Sequence, residues 1–253
     1  MAHLIVEGMT KRFGGLVAVN DVSFQVKRGT VCAVIGPNGA GKTTLFNLIT
    51  GVTPPTSGRV VFDGQALQGL APEAVARRGM ARTFQNIRLF RHLSALENVM
   101  VGATAALGRA VPNPLSWPWK MSNQLRGVAD QAMAWLDWVG FSNDHQARPH
   151  ELPYGDQRRL EVARALATRP SLLILDEPTA GMVAQEAHQV IELIHKLRSA
   201  GMTVMLIEHN MNVVMKVSDQ IVVLDFGQKL ADGFPQEVRR DPRVIEAYLG
   251  ADA

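Results

Sequence analysis

The sequence contains almost no cysteine and no long apolar run. Cys32 is the single cysteine in 253 residues, so an intramolecular disulfide is excluded and a reducing compartment is expected. No stretch approaches the roughly 18 apolar residues of a membrane-spanning helix, and the N-terminus lacks the apolar segment and cleavage site of a secretory signal. If the protein works at a membrane, we expect it to dock there through other chains.

Aromatic residues are scarce as well, at 6%, but the rest of the composition is that of a globular protein. Hydrophobic residues make up 47% and charged residues 19% of the chain, which is enough to form a core in one large domain, with or without lobes. The formal net charge of +3 favours phosphorylated ligands, nucleic acid or an anionic membrane surface, and it does not choose among them.

Strands dominate the predicted N-terminal part, and strands alternate with helices in the last third. Three short alternating segments contain Gly, Asn or Asp at their boundaries and indicate antiparallel strands: HLIVEG, LVAVNDVSFQVKRG and SGRVVFDGQ. Apolar runs indicate further strands, of which VCAVI and LLILD are expected to be buried on both faces: VCAVI, LLILD, MTVMLIEH and QIVVLDFGQ. This alternation predicts an α/β fold with a parallel sheet covered by helices, and the mainly helical block in between predicts a separate lobe.

The strongest motif is GPNGAGKTT, which matches the phosphate-loop pattern G-x-x-x-x-G-K-[ST] between a predicted strand and a predicted helix. Its glycines let backbone amides turn towards phosphate oxygens, Lys42 is expected to neutralise phosphate charge, and Thr43 is expected to offer its hydroxyl to Mg²⁺. A glycine-rich turn without a nucleotide is the alternative. We predict that a nucleoside triphosphate binds at Gly36, Pro37, Asn38, Gly39, Ala40, Gly41, Lys42, Thr43 and Thr44.

An acidic pair, Asp176 and Glu177, ends the predicted strand LLILD. Side chains at the carboxyl edge of a parallel sheet can reach a ligand in the crevice there. We expect Asp176 to hold Mg²⁺ through water and Glu177 to act as the base that activates the water attacking the γ-phosphate. The alternative is a pair of acidic residues that only caps the strand. A base at this position favours hydrolysis, although it does not exclude phosphoryl transfer to an acceptor.

Two further polar residues are placed to sense the nucleotide. Gln85, in RTFQNIRLF, could touch the metal or the attacking water, and a plain polar loop residue is the alternative. His209 ends the predicted strand MTVMLIEH, where an imidazole can hydrogen-bond a γ-phosphate oxygen. We predict catalytic roles for both residues and a metal contact for Gln85.

The phosphate loop, Gln85, LPYGDQ, LLILDEP and His209 follow one another in an order that resembles the ATP-binding-cassette (ABC) ATPases over nearly the whole chain. The resemblance implies ATP hydrolysis with ATP and Mg²⁺ as cofactors. It implies one ABC nucleotide-binding domain, a P-loop NTPase core with a RecA-like parallel sheet, an antiparallel β subdomain and a helical signature subdomain. The implied parts are a core of about 1–85 and 157–232, a helical subdomain of about 86–156 and a C-terminal extension of about 233–253.

By the same resemblance, LPYGDQ occupies the place of the family signature LSGGQ. Gly155 would then face the nucleotide of a second ABC ATPase subunit in a head-to-tail dimer. Pro153, Tyr154 and Asp156 depart from the family pattern, and the loss of one hydrogen bond to a charged group costs about 1.5–3 kcal/mol. We therefore expect the site that this segment completes to be weakened and not abolished.

Several stretches resemble more narrowly the LivG-type ATP-binding subunits of bacterial branched-chain amino-acid importers: KRFGGLVAVNDVSF, RTFQNIRLF, YGDQRRLEVARAL and DPRVIEAYLG. This resemblance implies a heterodimer with a related ATPase, two membrane permease subunits, an indirect link to a periplasmic binding protein, and no nucleic-acid partner. It places the chain peripherally on the cytoplasmic face of the inner membrane. An export-type ATPase, such as that of lipopolysaccharide transport, and a soluble ABC ATPase of DNA repair or translation are the alternatives.

Three smaller features complete the sequence interpretation. Phe13 lies at the position of the family's aromatic adenine contact, and a buried aromatic residue is the alternative. The C-terminal tail forms a predicted helix with an apolar face made of Val244, Ile245, Tyr248 and Leu249. The loop with Trp117 and Trp119 would contact a membrane partner or headgroups, or pack locally.

Overall fold

The computed structural model describes residues 2–106 and 118–249. The chain divides into two compact units: the first comprises residues 2–76 and 174–249, and the second comprises residues 77–106 and 118–173. Trp117 and the side chain of Trp119 lie outside the described part, so the predicted role of that loop stays a prediction. Among the described residues, every helix is too short or too polar to cross a membrane.

Most strands of the described residues match segments predicted from the sequence. In chain order the strands are β1 (Ala2–Phe13), β2 (Leu16–Lys27), β3 (Val31–Ile35), β4 (Ser57–Phe62), β5 (Gln65–Ala66), β6 (Met80–Arg82), β7 (Leu172–Asp176), β8 (Thr203–Ile207), β9 (Gln220–Asp225) and β10 (Gln228–Gly233). Of these, β5, β6 and β10 were not predicted. The bounds of β3 and β7 are those of the apolar runs VCAVI and LLILD.

The helices complete the list of elements. They are α1 (Lys42–Ile49), α2 (Pro72–Arg77), α3 (Ala95–Ala106), α4 (Pro118–Trp138), α5 (Tyr154–Ala167), α6 (Ala184–Ser199), α7 (Met211–Val217), α8 (Pro235–Val238) and α9 (Pro242–Leu249), with a 3₁₀ turn at Pro149–Glu151. The helix α5 begins at Tyr154, within the segment LPYGDQ.

The first unit contains an antiparallel sheet and a mainly parallel one. The antiparallel sheet has the order β2-β1-β4-β5, as the alternating N-terminal segments predicted. In the other sheet, β10, β9, β3, β8 and β7 lie side by side in that order, and β3 runs parallel to both β8 and β9. All residues of β3, β7 and β8 are buried, because these strands are apolar on both faces. Cys32 is a core residue, as predicted.

The second unit is built mainly from α3, α4 and α5, which pack on one another. Gly102 allows α3 to approach α5 closely, since a Cβ there would lie 2.2 Å from the Arg164 carbonyl oxygen. In the same unit, the Ser171 and Leu172 amides donate to the Gly79 carbonyl oxygen at 2.8 and 3.1 Å. The predicted bounds of the helical subdomain, 86–156, stay a prediction.

The C-terminal tail forms the helix α9, as predicted, and the apolar face of this helix is only partly buried. Val244 is buried and Tyr248 is half-buried, whereas Ile245 is 46% exposed. The Leu249 side chain lies outside the described part. Burial raises the pKa of the Tyr248 hydroxyl to about 12, and neighbouring residues of α9 line a pocket together with Pro37 and Asn38. The tail helix is therefore anchored by Val244 and Tyr248 beside the start of the phosphate loop.

Candidate active site

The phosphate loop joins the end of β3 to the start of α1, and two of its glycines occupy positions that leave no room for a side chain. A Cβ on Gly36 would lie 2.1 Å from the Leu224 carbonyl oxygen, and a Cβ on Gly41 would lie 2.5 Å from that of Ala18. Gly41 also has a φ of 94°, which residues with a side chain rarely adopt. The close backbone packing explains why glycine is needed at both ends of the loop.

Lys42 is the first residue of α1, and it is buried against the phosphate loop. Its ammonium group donates to the carbonyl oxygens of Gly36 and Pro37, at 2.7 and 2.8 Å. Burial lowers the pKa of Lys42, and the charge of Glu177 partly counteracts that effect. A cation held by two loop carbonyls is positioned to exchange them for phosphate oxygens, which are stronger acceptors because they are charged.

The acidic pair lies at the carboxyl edge of the parallel sheet, as predicted. Asp176 is buried at the end of β7, and the Glu177 amide donates to the Ile207 carbonyl oxygen of β8 at 2.9 Å. Because Ile207 pairs with Val34 of β3, the phosphate loop and the acidic pair emerge at the same edge. Glu177 has a φ of 47°, a left-handed conformation that is costly for a residue with a side chain and recurs at functional sites.

His209 lies beside Glu177. Its Nδ1 is 4.0 Å from a Glu177 carboxylate oxygen, and its side chain is 59% exposed. The structure thus brings together three of the residues predicted from the sequence: Lys42, Glu177 and His209. Their assigned roles stay predictions.

Glu208 is a residue that the sequence reasoning missed. It is fully buried, and one carboxylate oxygen accepts hydrogen bonds from the Thr179 amide and hydroxyl. The other oxygen accepts from the His209 and Asn210 amides at 2.9 and 3.0 Å. Glu208 therefore fixes both the turn after the acidic pair and the backbone of His209. A carboxylate directly after a buried strand was the available signal, but its partner Thr179 is distant in sequence.

The predicted metal ligands fit Mg²⁺ but do not form a complete site. Thr43 is exposed at the start of α1, Asp176 ends β7, and the described residues contain no group of three or more His, Cys, Asp or Glu side chains arranged to hold a metal. Mg²⁺ ordinarily takes one or two protein oxygens and completes its shell with water and substrate phosphates. A hydroxyl and a single carboxylate suit that mode of binding.

Phe13 ends β1 and is not a core residue. Its side chain is 50% exposed, so the alternative of a buried aromatic residue is wrong. The Lys11 ammonium group lies 4.9 Å from the centre of its ring. The ring is thus available for stacking on a base, and the adenine contact stays a prediction.

In the second unit, Gln85 lies on the loop that follows β6, with its side chain exposed to solvent. Gly155 lies in the first turn of α5. Pro153 is the N-cap residue of this helix and forms no side-chain capping hydrogen bond. The metal and water contacts of Gln85 and the contact of Gly155 with a second subunit's nucleotide stay predictions.

Two of the three side chains that depart from the signature pattern form hydrogen bonds within their own unit. Asp156 is buried and accepts hydrogen bonds from Asn143 at 2.7 Å and from Arg159 at 3.0 Å. Tyr154 contacts Arg158 through its hydroxyl, at 3.2 Å. The carboxylate of Asp156 is therefore neutralised within the unit, which removes an obstacle to an anion at the start of α5.

Comparison with known proteins identifies the family. A family model described as ABC transporter matches residues 19–180, and one described as branched-chain amino acid ATP-binding cassette transporter matches residues 228–253. The chain belongs to the ABC transporter family. It is accordingly an ATP-binding subunit with ATPase activity in a transport system, and the sequence prediction of this family is confirmed.

Curated relatives cover nearly the whole chain. The high-affinity branched-chain amino acid transport ATP-binding protein BraF of Pseudomonas aeruginosa is 46% identical over 98% of this chain and 97% of its own length. The LivG protein of Escherichia coli, described in the same words, is 42% identical over the same shares.

Solved structures show the same fold. The ADP conformation of MJ1267, an ATP-binding cassette of an ABC transporter, has a TM-score of 0.84 at 31% identity and covers 99% of both chains. The dimeric structure of MJ0796, a bacterial ABC transporter cassette, has a TM-score of 0.77 at 25% identity and covers 92% of this chain and 98% of the other. The predicted α/β ABC ATPase fold is therefore confirmed.

Proposed function

We propose that this ABC ATPase powers an importer of branched-chain amino acids. The observation that carries the proposal is the specific match at the tail: residues 228–253 fit the branched-chain amino acid transporter model, in addition to the general ABC match. BraF and LivG, which are similar over 98% of the chain, support the same substrate class. No observation favours the export-type or soluble alternatives.

In the proposed reaction, each residue of the first unit has a distinct task. The loop amides and Lys42 bind the triphosphate and offset its charge. Glu177 takes a proton from the attacking water, and His209, 4.0 Å from Glu177, holds a γ-phosphate oxygen. Stacking of adenine on Phe13 orients the base.

Mg²⁺ would be held by the Thr43 hydroxyl and, through water, by Asp176, with Gln85 as a further contact. When bound, it offsets the charge that develops on the phosphate oxygens. The exposure of Thr43 and the position of Asp176 at the end of β7 support this assignment.

We also propose a complete assembly for the chain. A second, related ATPase would pair with it head to tail, so that Gly155 and the start of α5 face the partner's triphosphate. Two permease subunits and, indirectly, a periplasmic binding protein would complete an importer at the cytoplasmic face of the inner membrane. The dimeric structure of MJ0796, to which this chain is similar over 92% of its length, supports the pairing.

The proposal is tested by uptake in a reconstituted system. The chain is co-expressed with candidate permease and ATPase subunits, and ATP-dependent uptake of labelled leucine, isoleucine and valine into proteoliposomes is measured. We expect uptake that the Glu177→Gln variant of this chain abolishes or strongly reduces. ATP hydrolysis without uptake of these amino acids, but with transport of another cargo, would contradict the proposed substrate class.

A further inference from the structure

Arg158 of α5 reaches the backbone of the loop that carries Gln85. Its guanidinium group donates to the Phe84 carbonyl oxygen at 2.6 Å and to the Gln85 carbonyl oxygen through the other terminal nitrogen. Both acceptors are more than 70 residues away in sequence but lie in the same compact unit. Only 6% of the Arg158 side chain is exposed, so these bonds form in a site from which water is largely excluded.

Glu161, one turn further along α5, also bonds to the backbone of this loop, but as an acceptor. It accepts a hydrogen bond from the Arg88 amide at 3.2 Å and pairs with Arg158 at 3.1 Å, with 1% of its side chain exposed. Burial raises the pKa of Glu161, and the Arg88 amide and the Arg158 charge act in the opposite direction. The ion pair is therefore costly to bury, and its bonds to the loop backbone offset part of that cost.

Tyr154 adds a third contact, at the position where the family signature has its first glycine. The Arg158 guanidinium donates to the Tyr154 hydroxyl at 3.2 Å, and its centre lies 5.7 Å from the centre of the ring. The guanidinium is thus bonded to the signature segment on one side and to the Gln85 loop on the other. An arginine suits this task because its planar fork can serve several acceptors, whereas a lysine offers one compact charge.

We propose that Arg158 is a positioning residue for Gln85: its guanidinium, oriented by Tyr154 and Glu161, fixes the backbone of Gln85 and so ties the metal contact of this loop to the signature segment. The inference rests on the role proposed for Gln85. It extends that role by giving Tyr154, which departs from the signature pattern, a task within its own subunit.

The decisive experiment compares Arg158→Lys with Gln85→Ala, singly and combined, in the full-length chain. Phosphate release is measured against ATP and Mg²⁺ concentration, ATP affinity by calorimetry, and thermal stability by calorimetric scanning. We expect Arg158→Lys to lower kcat about three- to tenfold and to raise the Mg²⁺ concentration needed for half-maximal turnover. ATP affinity should change less than twofold, because the phosphate loop lies in the other unit.

The double variant separates positioning from a general structural role. If Arg158 acts through Gln85, adding Arg158→Lys to Gln85→Ala should lower kcat by less than twofold more. Arg169→Lys is the matched control, since Arg169 lies in the same unit, is exposed and bonds to Gln131. We expect this control to leave kcat and the Mg²⁺ requirement unchanged.

The outcomes that overturn the inference are distinct. If Gln85→Ala has the kcat and the Mg²⁺ requirement of the unchanged chain, both the role proposed for Gln85 and the inference about Arg158 are wrong. A defective Gln85→Ala with a normal Arg158→Lys, or effects that multiply in the double variant, removes the inference alone. If Arg158→Lys does not fold, Tyr154→Phe replaces it: a twofold lower kcat that disappears on the Gln85→Ala background supports the proposal, and an unchanged kcat overturns it.

Discussion

The phosphate loop and the signature segment, one in each compact unit, differ in how closely they match the family pattern. The loop matches its pattern at every specified position between Gly36 and Thr43, whereas the segment LPYGDQ departs from LSGGQ at Pro153, Tyr154 and Asp156. In the loop, a side chain at Gly36 or Gly41 would collide with backbone oxygens.

In the signature segment, two of the three departing side chains have partners in the same unit. Asp156 bonds to Asn143 and Arg159, and Tyr154 bonds to Arg158. What the segment is proposed to offer a second subunit is the start of α5, which depends on backbone amides and needs no particular side chain at every position. A site built from closely packed backbone restricts residue type far more than a site built on a helix end.

The largest effect is expected at the acidic pair, next to the loop. Glu177→Gln keeps the shape of the side chain and removes the base, so ATP turnover should fall about 10²- to 10⁴-fold while ATP binding persists. Phosphate release and calorimetry measure the two quantities on the same preparation. Turnover close to that of the unchanged chain would remove Glu177 from the role of base.

A smaller effect tests the packing of the loop itself. Gly36→Ala would place a methyl group 2.1 Å from the Leu224 carbonyl oxygen, so we expect a loss of stability of about 3 kcal/mol and a large loss of ATP affinity. Gly39→Ala is the matched control, because a Cβ there has nothing within 4 Å and meets only the cost of a φ of 80°. That cost is about 1–2 kcal/mol. Equal losses in urea unfolding for the two variants would contradict the account of the loop.

The smallest effect is expected in the signature segment. Pro153→Ser restores a hydroxyl at the start of α5, and we expect ATPase activity of the assembled transporter to rise about threefold, up to tenfold. Pro153→Ala is the control, because it restores the backbone amide without the hydroxyl. Identical rates for Pro153, Ser and Ala at this position would show that the backbone alone suffices.

Much of the fold could be predicted from the sequence because local signals and tertiary context agree. The apolar runs VCAVI and LLILD became β3 and β7 with the same bounds, since a strand buried on both faces has no other stable position. The prediction was poorer where long-range contacts decide. The three-residue strand β6 was not predicted, because its neighbours are distant in sequence: Gly79, directly before it, accepts hydrogen bonds from Ser171 and Leu172.

In the candidate site, too, residues marked by local motifs were predicted, whereas residues defined by long-range contacts were not. Local motifs predicted Lys42 and Glu177, because each lies in a short segment that directly follows or closely follows a buried strand, and the structure places both strands in one sheet. Their roles stay predictions. Glu208, Arg158 and Glu161 were not predicted, because each also bonds to a segment that is distant in sequence, and charged residues on a helix or at a strand end ordinarily face solvent. Only the folded structure shows that all three are buried.

Calorimetric titration with ATP in the presence of Mg²⁺ shows whether the phosphate loop of this chain binds the nucleotide. We expect binding of one ATP per chain, weakened at least about tenfold by Lys42→Ala, because this variant removes a charged donor to phosphate. Folded protein that takes up no ATP, or a Lys42→Ala variant with unchanged affinity, would contradict this expectation.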